Sequence, residues 1–442
     1  MNAGLTSEAR TTYTASFMNA LAEKADPDWF RPVRAQAFDA FLNLGWPTGK
    51  QEEWRFTDVR PLLRETPLLP ATGATGSPRF DEQLLALGRE TGQRLCFLDG
   101  HYDASQDVWR QPPPGLRVVP LSSGFGSAGL ARVLGHHLHS HDAFAFLNTA
   151  FLVDGAFVEI PTGLRVDAPI LLVFLAAAKG GASFPRTVVL AGADSRATVV
   201  ELHLGAYECA TLSNAVTEIV LEPGAQLDYY TITRPSPTGG HIGHLAVTQQ
   251  QGSSFAACSV ALGGRLVRND AHVVLDGERC DCRLDGLYLA ADGNHVDNQT
   301  SIDHQSAGCR SRETYRGVVA GRGRAVWSGR AIVRPGAQGS DARQVSRSLV
   351  LSDGAVIHAK PHLEIFANDV KCSHGATTGR LDTEALFYLR SRGVGAEEAR
   401  QMLIAAFLRE AIAAVRNDEL HNELESVIDN AAQALARSGG GG

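Results

Sequence analysis

The sequence predicts a mainly β fold flanked by helical segments at both ends of the chain. From Thr149 to about Thr377, short runs rich in Val, Ile, Leu and Thr alternate with Gly-containing turns, as in FVEIP, RTVVLA and ATVVELHLG. No amphipathic segment of helix length interrupts these runs, which disfavours a doubly wound α/β sheet. Such an array is typical of a β-solenoid, a sandwich or a propeller, and the Asn, Asp and Gly residues around Asp292–Asn298 favour the solenoid.

Composition narrows the classes of function. The chain has 442 residues, enough for two or three domains with a substantial core. Its net charge of -7 argues against nucleic acid as the main partner, because phosphate binding needs a basic surface. No run approaches the roughly 18 apolar residues of a membrane span, and the first residues lack the pattern of a signal peptide. Seven scattered cysteines do not suggest a disulfide framework, so we expect a reducing, cytoplasmic location.

The first part of the chain, 1–148, is predicted to form a mainly helical domain with a short α/β linker region. Apolar residues recur at helical spacing from Ser16, a suitable N-cap, to Asp26. The same spacing occurs from Pro32 to Leu44, where a Gly-Trp-Pro stop signal follows. The run Leu95–Leu98 is predicted to be a short buried strand.

A histidine-rich run follows in this domain. His136, His137, His139 and His141 lie within six positions and can chelate a divalent cation. Nothing nearby fixes a coordination geometry, although Asp142 is adjacent. A surface loop is the favoured interpretation, and metal binding stays open.

After Arg380 the pattern becomes helical. Asp382 is a suitable N-cap for a helix through Ser391, and two further helices are predicted at Glu397–Val415 and Asp418–Arg437. The chain is therefore divided into three further parts: a β core at 149–377, a C-terminal helical domain at 378–437 and a flexible glycine tail at 438–442.

The candidate site lies at the seam between strands and helices, in Lys360–Gly379. Leu363 and Ile365 alternate with polar neighbours as in a half-buried strand. Cys372 and His374 follow, and side chains two residues apart on a strand point the same way. A thiolate or a neutral imidazole can ligate iron, and an imidazole can also accept a proton. A buried apolar cysteine and a hydrogen-bonded structural histidine are the alternative interpretations.

Other motifs indicate no complete catalytic apparatus. The sequence contains no GxxxxGK[ST], GxSxG or HExxH motif, so the chain is not expected to hydrolyse ATP by itself. Cys280 and Cys282 form a C-x-C on one strand face and are expected to be stacked core positions. The cysteines without a nearby partner in sequence are expected to be structural: Cys96, Cys209, Cys258 and Cys309.

Long contiguous motifs occur between Asp297 and Phe407, including LEIFANDVKCSHGATTG followed by LDTEALFYLRSRGV. Upstream are DNQTSIDH, YRGVVAG and GAQGSDARQVSRSLVLSDGA, with a weaker echo in EEWRFTD near the N-terminus. These segments resemble the SufB/SufD family of iron–sulfur cluster assembly proteins, and its SufD branch more closely than its SufB branch. The resemblance implies a right-handed parallel β-helix as the core.

The resemblance also implies a function. It suggests a SufD-like, non-catalytic subunit of a SufB–SufC–SufD scaffold complex. The chain would pair with a SufB-like protein through the β-helix and with a SufC-like ABC ATPase through the C-terminal helices. His374 would face a SufB cysteine at the pairing interface, with Cys372 as a second soft ligand. Iron or a cluster would be held there transiently, with no cofactor bound stably by the chain alone. A flavin in the complex and a homodimer in isolation stay open.

The predicted docking site for the SufC-like ATPase lies on the C-terminal helices. Four residues there supply more aromatic and apolar surface than a small appendage needs, which is typical of a helix that docks in a partner's groove: Phe387, Tyr388, Phe407 and Leu408. A helical cap over the open end of the β-helix is an alternative compatible with docking.

Two competing functions stay open. A stand-alone SufB-like scaffold homodimer is made less attractive by Ala355, which stands where SufB-like chains carry a cysteine. His358 and His362 are further imidazoles that can enrich the site or face solvent. A carbohydrate-active β-helix enzyme needs clustered carboxylates on successive turns. The candidates are Asp297, Asp303, Glu313 and Asp341.

Overall fold

The computed structural model describes residues 5–23, 26–65, 68–71, 78–87, 93–108, 112–136 and 142–438. The chain forms a parallel β-solenoid of about eight turns, with helices at its N-terminal and C-terminal ends. The predicted mainly β fold with a parallel β-helix core and flanking helical parts is confirmed.

Short helices dominate the part of the chain before the solenoid. The α-helices described there are α1 (Ser7–Glu23), α2 (Phe30–Leu44), α3 (Arg60–Glu65), α4 (Glu82–Ala86), α5 (Leu121–Gly124), α6 (Ala128–Val133) and α7 (Ala143–Phe151). Single turns of 3-10 helix lie at Glu52–Trp54 and Ala104–Gln106. Three strands also occur there: β1 (Gln93–Leu98), β2 (His101–Tyr102) and β3 (Arg117–Pro120).

The solenoid strands follow one another without an intervening helix. They are β4 (Gly155–Ile160), β5 (Ile170–Ala176), β6 (Ala182–Ser183), β7 (Arg186–Ala191), β8 (Arg196–Gly205), β9 (Leu212–Leu221), β10 (Gln226–Arg234), β11 (Gly240–Gln249), β12 (Ser254–Leu262), β13 (Leu266–Leu275), β14 (Asp281–Ala290), β15 (His295–His304), β16 (Arg310–Val319), β17 (Arg324–Val333), β18 (Ser340–Val350), β19 (Val356–Ile365) and β20 (Val370–Gly379). The C-terminal helices are α8 (Thr383–Ser391), α9 (Ala396–Ile412) and α10 (Asp418–Ser438).

Two sheets form the walls of the solenoid. Sheet 1 has the order β2-β1-β5-β8-β10-β12-β14-β16-β18-β20, and sheet 2 has the order β3-β4-β7-β9-β11-β13-β15-β17-β19. Successive turns stack in parallel register: Arg196 pairs with Gln226, Gln226 with Ser254, Ser254 with Asp281, and Asp281 with Arg310. Equivalent positions on these turns therefore lie 27 to 30 residues apart.

The space between the sheets, here called the lumen, is filled by side chains. Along β18, buried residues alternate with exposed or half-buried ones, as expected for a strand with one face in a core. Aromatic rings in the lumen pack over glycines of the neighbouring strand. A Cβ at Gly317 would lie 1.9 Å from a ring carbon of Tyr288, and one at Gly286 would lie 2.1 Å from the ring of Tyr315. Glycine at these positions is therefore a packing requirement.

Helices cover the outer faces of both sheets. α7 packs on sheet 2 with Phe144, Leu147 and Phe151 in one apolar cluster with sheet residues. α9 and α10 pack on sheet 1 in a second cluster, which contains Leu408 together with strand residues such as Val260. None of the helices in the described ranges is long and apolar enough to cross a membrane.

The two ends of the solenoid differ. At the N-terminal end, sheets 1 and 2 finish in the short antiparallel strands β2 and β3. At the C-terminal end, β20 and β19 are the last strands, and no strand in the described part of the chain pairs with their outer edges. The alternative that the C-terminal helices cap this open end is wrong, because α9 and α10 lie on the outer face of sheet 1, where they bury an apolar cluster.

Local predictions were accurate where a cap or stop signal was clear. The Asp382 carboxylate accepts hydrogen bonds from the backbone N–H groups of Glu384 and Ala385, so the predicted N-cap of α8 is confirmed. The predicted strand at Leu95–Leu98 is also confirmed, as part of β1. The helix predicted from Ser16 to Asp26 instead spans Ser7–Glu23, because Ala9 and Tyr13 continue the four-residue spacing of Phe17 toward the N-terminus and pack in the same apolar cluster.

Candidate functional site

His374 lies on the last strand of sheet 1, on the face that looks into the lumen. β20 pairs in register with β18, so His374 stands opposite Gln344 and Cys372 opposite Ala342. Gln344 and Ala342 are buried on the inner face of β18. Because in-register parallel strands share their faces, both candidate ligands point toward the mouth of the lumen. His374 itself is exposed.

The next lumen positions beneath His374 are polar. Gln344 pairs in register with Glu313 on β16, and both side chains are only 2% exposed. The Thr300 hydroxyl donates a 2.9 Å hydrogen bond to Glu313 Oε2. Burial raises the pKa of Glu313 to about 7. The exposed imidazole therefore stands above a buried carboxyl that takes up a proton near neutral pH, with one amide side chain between them.

Cys372 is half-buried at the same mouth. It packs against Val333, Ala337 and Ala367, with Val370 beside it. Burial raises the pKa of the Cys372 thiol, so the free chain favours the protonated form. A thiol of this kind becomes a metal ligand when a cation displaces its proton.

His358 and His362 do not join this site. They lie on β19, in register with Val326 and Arg330 of β17, on the outer face of sheet 2. The His358 ring stacks on Phe56 with centroids 4.0 Å apart, and His362 Nε2 lies 3.1 Å from Glu364. The suggestion that these imidazoles enrich the His374 site is therefore wrong, since the two sheets hold them on different faces.

The N-terminal motif anchors the first part of the chain to sheet 2. The guanidinium of Arg268 lies 3.7 Å from the centroid of the Trp54 ring, and Trp54 is 4% exposed. Arg268 also donates a 2.5 Å hydrogen bond to Asp297, which accepts a second one from Thr57. Trp54 is therefore a structural anchor between the first part of the chain and sheet 2.

One group of metal-ligating side chains occurs beside this anchor. Within the described residues, donor atoms of Asp142, His244 and Asp270 lie within 4.8 Å of one another. This donor set is chemically suited to a divalent transition metal. Each carboxylate also has a structural role, because Asp142 caps α7 and Asp270 accepts from Arg268 at 2.9 Å. The group lies on the outer face of sheet 2 and is separate from His374.

Of the four histidines in the predicted histidine-rich run, one lies within the described residues. His136 is described and is exposed at the end of a turn. His137, His139 and His141 lie outside the described residues, as does the glycine tail from 439 onward. Metal binding by the run stays a prediction.

The four docking candidates separate into two groups. Phe387 and Tyr388 on α8 are 74% and 57% exposed. Phe407 is partly buried beneath the guanidinium of Arg316, which lies 5.1 Å from its ring centroid. Leu408 is fully buried in the cluster between α9 and sheet 1. Leu408 therefore has no surface to offer a partner.

The four acidic candidates for a carbohydrate-active site do not cluster. Asp297 is buried against Arg268, and Asp303 pairs with Arg334 on the outer face of sheet 2. Glu313 lies in the lumen and Asp341 on the outer face of sheet 1. Carboxylates on three different faces cannot share one scissile bond.

The cysteines contain a pairing that sequence reasoning missed. Cys280 and Cys282 are each 1% exposed, so their predicted stacking in the core is confirmed. Cys309, which has no nearby partner in sequence and was expected to be structural, occupies the position equivalent to Cys280 one turn away. The sequence feature that could have revealed this arrangement is the separation of Cys280 and Cys309 along the chain, which matches one turn of the solenoid.

Comparison with known proteins gives the family. Residues 174–407 match the SufBD core domain of the SUF system for FeS cluster assembly. The Escherichia coli iron–sulfur cluster assembly protein SufD is 28% identical over 400 residues, covering 89% of this chain and 91% of that protein. A SufBD family protein of Mycobacterium tuberculosis is 32% identical over 398 residues, 87% of this chain and 89% of its own length. The chloroplastic protein ABCI7 of Arabidopsis thaliana is 29% identical over 443 residues, 94% of this chain and 90% of its own.

The matched region begins in β5 and ends within α9, so it contains the whole open end of the solenoid and His374. The chain belongs to the SufB/SufD family of iron–sulfur cluster assembly proteins.

Proposed function

We propose that the chain is the SufD-type subunit of a SufB–SufC–SufD complex that assembles iron–sulfur clusters in the cytoplasm. The observation that carries the proposal is the open end of the solenoid. Its last two strands, β19 and β20, leave their outer edges free of strand partners in the described structure, and His374 and Cys372 face the lumen at the same place.

The open end is suited to pairing with another solenoid. An unpaired strand presents backbone N–H and C=O groups that bind a further strand, and folded proteins usually block such edges. Here the edge strands at the N-terminal end are short, with two residues in β2 and four in β3, whereas β19 and β20 at the C-terminal end have ten residues each. Ile365 and Phe366, at the end of β19, are 43% and 57% exposed. A SufB-like solenoid stacked on β19 and β20 would cover this apolar surface.

Stacking would place His374 inside the joint lumen of the two solenoids. We propose that the imidazole faces a cysteine of the SufB-like partner and ligates iron or a nascent cluster, with Cys372 as a second ligand. The cluster is the cargo of the complex, and the chain is proposed to act as a scaffold without catalytic chemistry of its own. Imidazole and thiolate are both established ligands of iron–sulfur centres.

The C-terminal helices are proposed to receive the ATPase. No residue of α8 is buried, and Phe387 and Tyr388 form an exposed aromatic pair on it. Exposed aromatic side chains on a helix that has no buried residue are suited to a groove on a partner. We assign docking of a SufC-like ATPase to these two residues and not to Leu408.

A physical connection joins this helix region to the candidate site. Glu410 of α9 forms an ion pair with Arg316 of β16, which is 6% exposed. β16 pairs with β18, and β18 pairs with β20. We propose that nucleotide-driven closure of the ATPase pulls on α8 and α9 and so shifts the last strands of sheet 1, opening the site around His374.

The proposal is tested by co-expression with a SufB-like and a SufC-like protein, followed by pull-down. Deleting the residues after Arg380 would expose the apolar outer face of sheet 1. We therefore use substitutions that each change one exposed surface, because their effects are easier to interpret. We expect the double variant Phe387→Ser, Tyr388→Ser to lose the ATPase and keep the SufB-like protein. We expect Phe366→Lys to lose the SufB-like protein and keep the ATPase. Met18→Lys, which changes an equally exposed apolar residue on α1, should keep both partners.

If neither partner binds the wild-type chain, the assembly proposal fails. A stand-alone homodimeric scaffold uses the same open end and makes a different prediction. In that case the isolated chain sediments as a dimer that Phe366→Lys dissociates, and it retains a coloured cluster after anaerobic reconstitution.

A further inference from the structure

Cys280 and Cys309 occupy equivalent positions on successive turns of the solenoid. Each residue comes just before a strand of sheet 1, and those strands pair with Asp281 opposite Arg310. The backbone N–H of Arg310 donates a 2.8 Å hydrogen bond to the carbonyl of Cys280, which fixes the register at this corner. Adjacent parallel strands are about 4.8 Å apart, a separation that falls within the Cα–Cα range of disulfides.

The two sulfur atoms converge on one backbone oxygen. Cys280 Sγ lies 3.1 Å and Cys309 Sγ 3.2 Å from the carbonyl oxygen of Gly277. The Cys309 thiol also donates a hydrogen bond to the Cys280 sulfur. The Ser253 hydroxyl, from the turn below, lies 3.8 Å from Cys280 Sγ. Both thiols are therefore held at one point of the corner by the same backbone carbonyl.

The contact makes the two thiols chemically unequal. The hydrogen bond from Cys309 lowers the pKa of Cys280 to about 7 against the opposing effect of burial. The pKa of Cys309 is raised, because it keeps its proton to donate that bond. Burial raises the pKa of Cys258 and of Cys282 as well. A thiolate beside a thiol that holds its proton is the arrangement found in redox-active dithiols.

The pair lies directly beneath the solenoid surface. Glu278 and Arg279, which precede Cys280, are exposed, and so are Gly308 and Arg310, which flank Cys309. Arg279 adopts a positive φ of 58°, a conformation that a side chain with Cβ rarely adopts. The two cysteines therefore lie at a corner turn whose neighbouring residues along the chain reach solvent.

We propose that Cys280 and Cys309 are a peroxide-responsive site that forms a reversible intramolecular disulfide between adjacent turns. The Cys280 thiolate attacks hydrogen peroxide and becomes a sulfenic acid as hydroxide leaves. The Cys309 sulfur then displaces the sulfenic oxygen, and its proton leaves with that oxygen as water. In total two thiols and one peroxide give one disulfide and two waters. A dithiol reductant reverses the reaction by exchange.

The disulfide ties together two strands on which α9 packs. Cys280 leads into β14 and Cys309 into β16, and α9 contacts both strands. A covalent link at this corner holds the two turns in one register. The proposal rests on the thiol geometry alone and holds whether or not the chain pairs with a SufB-like protein.

The test uses the reduced full-length protein, treated with hydrogen peroxide and then alkylated under denaturing conditions. We expect two of the seven thiols to be lost, a cross-linked peptide joining Cys280 to Cys309, and full recovery with dithiothreitol. Cys258 and Cys282, which are equally buried, should stay reduced.

Variants separate the two steps. Cys309→Ser should leave Cys280 as a sulfenic acid that dimedone traps, and Cys280→Ser should abolish both trapping and cross-linking. Cys258→Ser is the matched buried control and should cross-link as the wild type does. The proposal is overturned if peroxide oxidises the more accessible Cys209 and Cys372 while Cys280 and Cys309 both remain alkylatable. The peptide map of the wild type decides this even if a variant fails to fold.

Discussion

The titration of Glu313 tests quantitatively whether the lumen is a dry, packed interior. Its side chain is 2% exposed and accepts one 2.9 Å hydrogen bond from Thr300. Among the described residues, Oε1 of Glu313 has no hydrogen-bond partner. Burial without a nearby cation to compensate it raises the pKa of this carboxyl to about 7. Glu313→Gln removes the titration and keeps the size of the side chain.

The magnitude follows from the difference in pKa between the folded and unfolded chain. The ordinary value is 4.5 and the folded value about 7, and each pKa unit is worth about 1.4 kcal/mol. Because the folded state holds the proton more tightly, this group's contribution to the free energy of unfolding is greatest below pH 4.5. It falls by about 3 kcal/mol as the pH rises through 7 and is constant above that.

The assay is urea unfolding of the wild type and of Glu313→Gln at pH 5 and pH 8. We expect the loss of stability between these pH values to be smaller in the variant by about 2 to 3 kcal/mol. Other groups that titrate in this range, such as Asp285, whose pKa is raised to about 6, are present in both proteins and cancel. Glu398→Gln, an exposed control on α9, should leave the pH dependence unchanged.

An equal pH dependence in the wild type and Glu313→Gln would refute the reasoning. It would mean that the carboxyl titrates normally, and hence that water reaches Glu313 between the sheets. The absolute stability of the variant is a weaker measure, because the new amide adds an N–H donor that also needs a partner.

Three further predictions concern other parts of the structure. Arg186→Ala should destabilise the fold by about 3–5 kcal/mol in urea unfolding, because it leaves the Glu218 carboxylate buried without its cation. Gly317→Ala should cost about 1–3 kcal/mol in the same assay, since the new methyl group overlaps a tyrosine ring, whereas Gly375→Ala has open space and should be neutral. Phe387→Ser should change unfolding by less than about 0.5 kcal/mol while weakening capture of the SufC-like ATPase; equal capture would remove α8 as its docking site.

Much of the fold could be predicted from the sequence. Strand runs and helix caps such as Asp382 are set by local pattern, and they were visible without a structure. The stacking period was harder to see, because the Gly-Ala turns at Gly192, Gly224, Gly336 and Gly354 mark only some turns of the solenoid. Parallel β-helix stacking is a long-range property, and the spacing between equivalent residues varies from turn to turn.

The candidate site was predictable in its residues but not in its surroundings. The strand period places Cys372 and His374 on one face, and the structure shows that this face looks into the lumen. Which sheet holds His358 depends on where the chain turns each corner, and sequence spacing does not reveal that. Helical periodicity likewise identifies an apolar stripe on α9 without saying that sheet 1 buries Leu408 within it.

The most direct test of the central claim is ATP-dependent cluster assembly by the reconstituted complex with His374→Ala. His374 is exposed at the open end, so the variant should fold and should still bind both partners. We expect cluster formation, followed by visible absorbance under anaerobic conditions, to be lost. His101→Ala, which changes an exposed histidine at the opposite end of the solenoid, should support normal assembly. Normal assembly by His374→Ala would contradict the account.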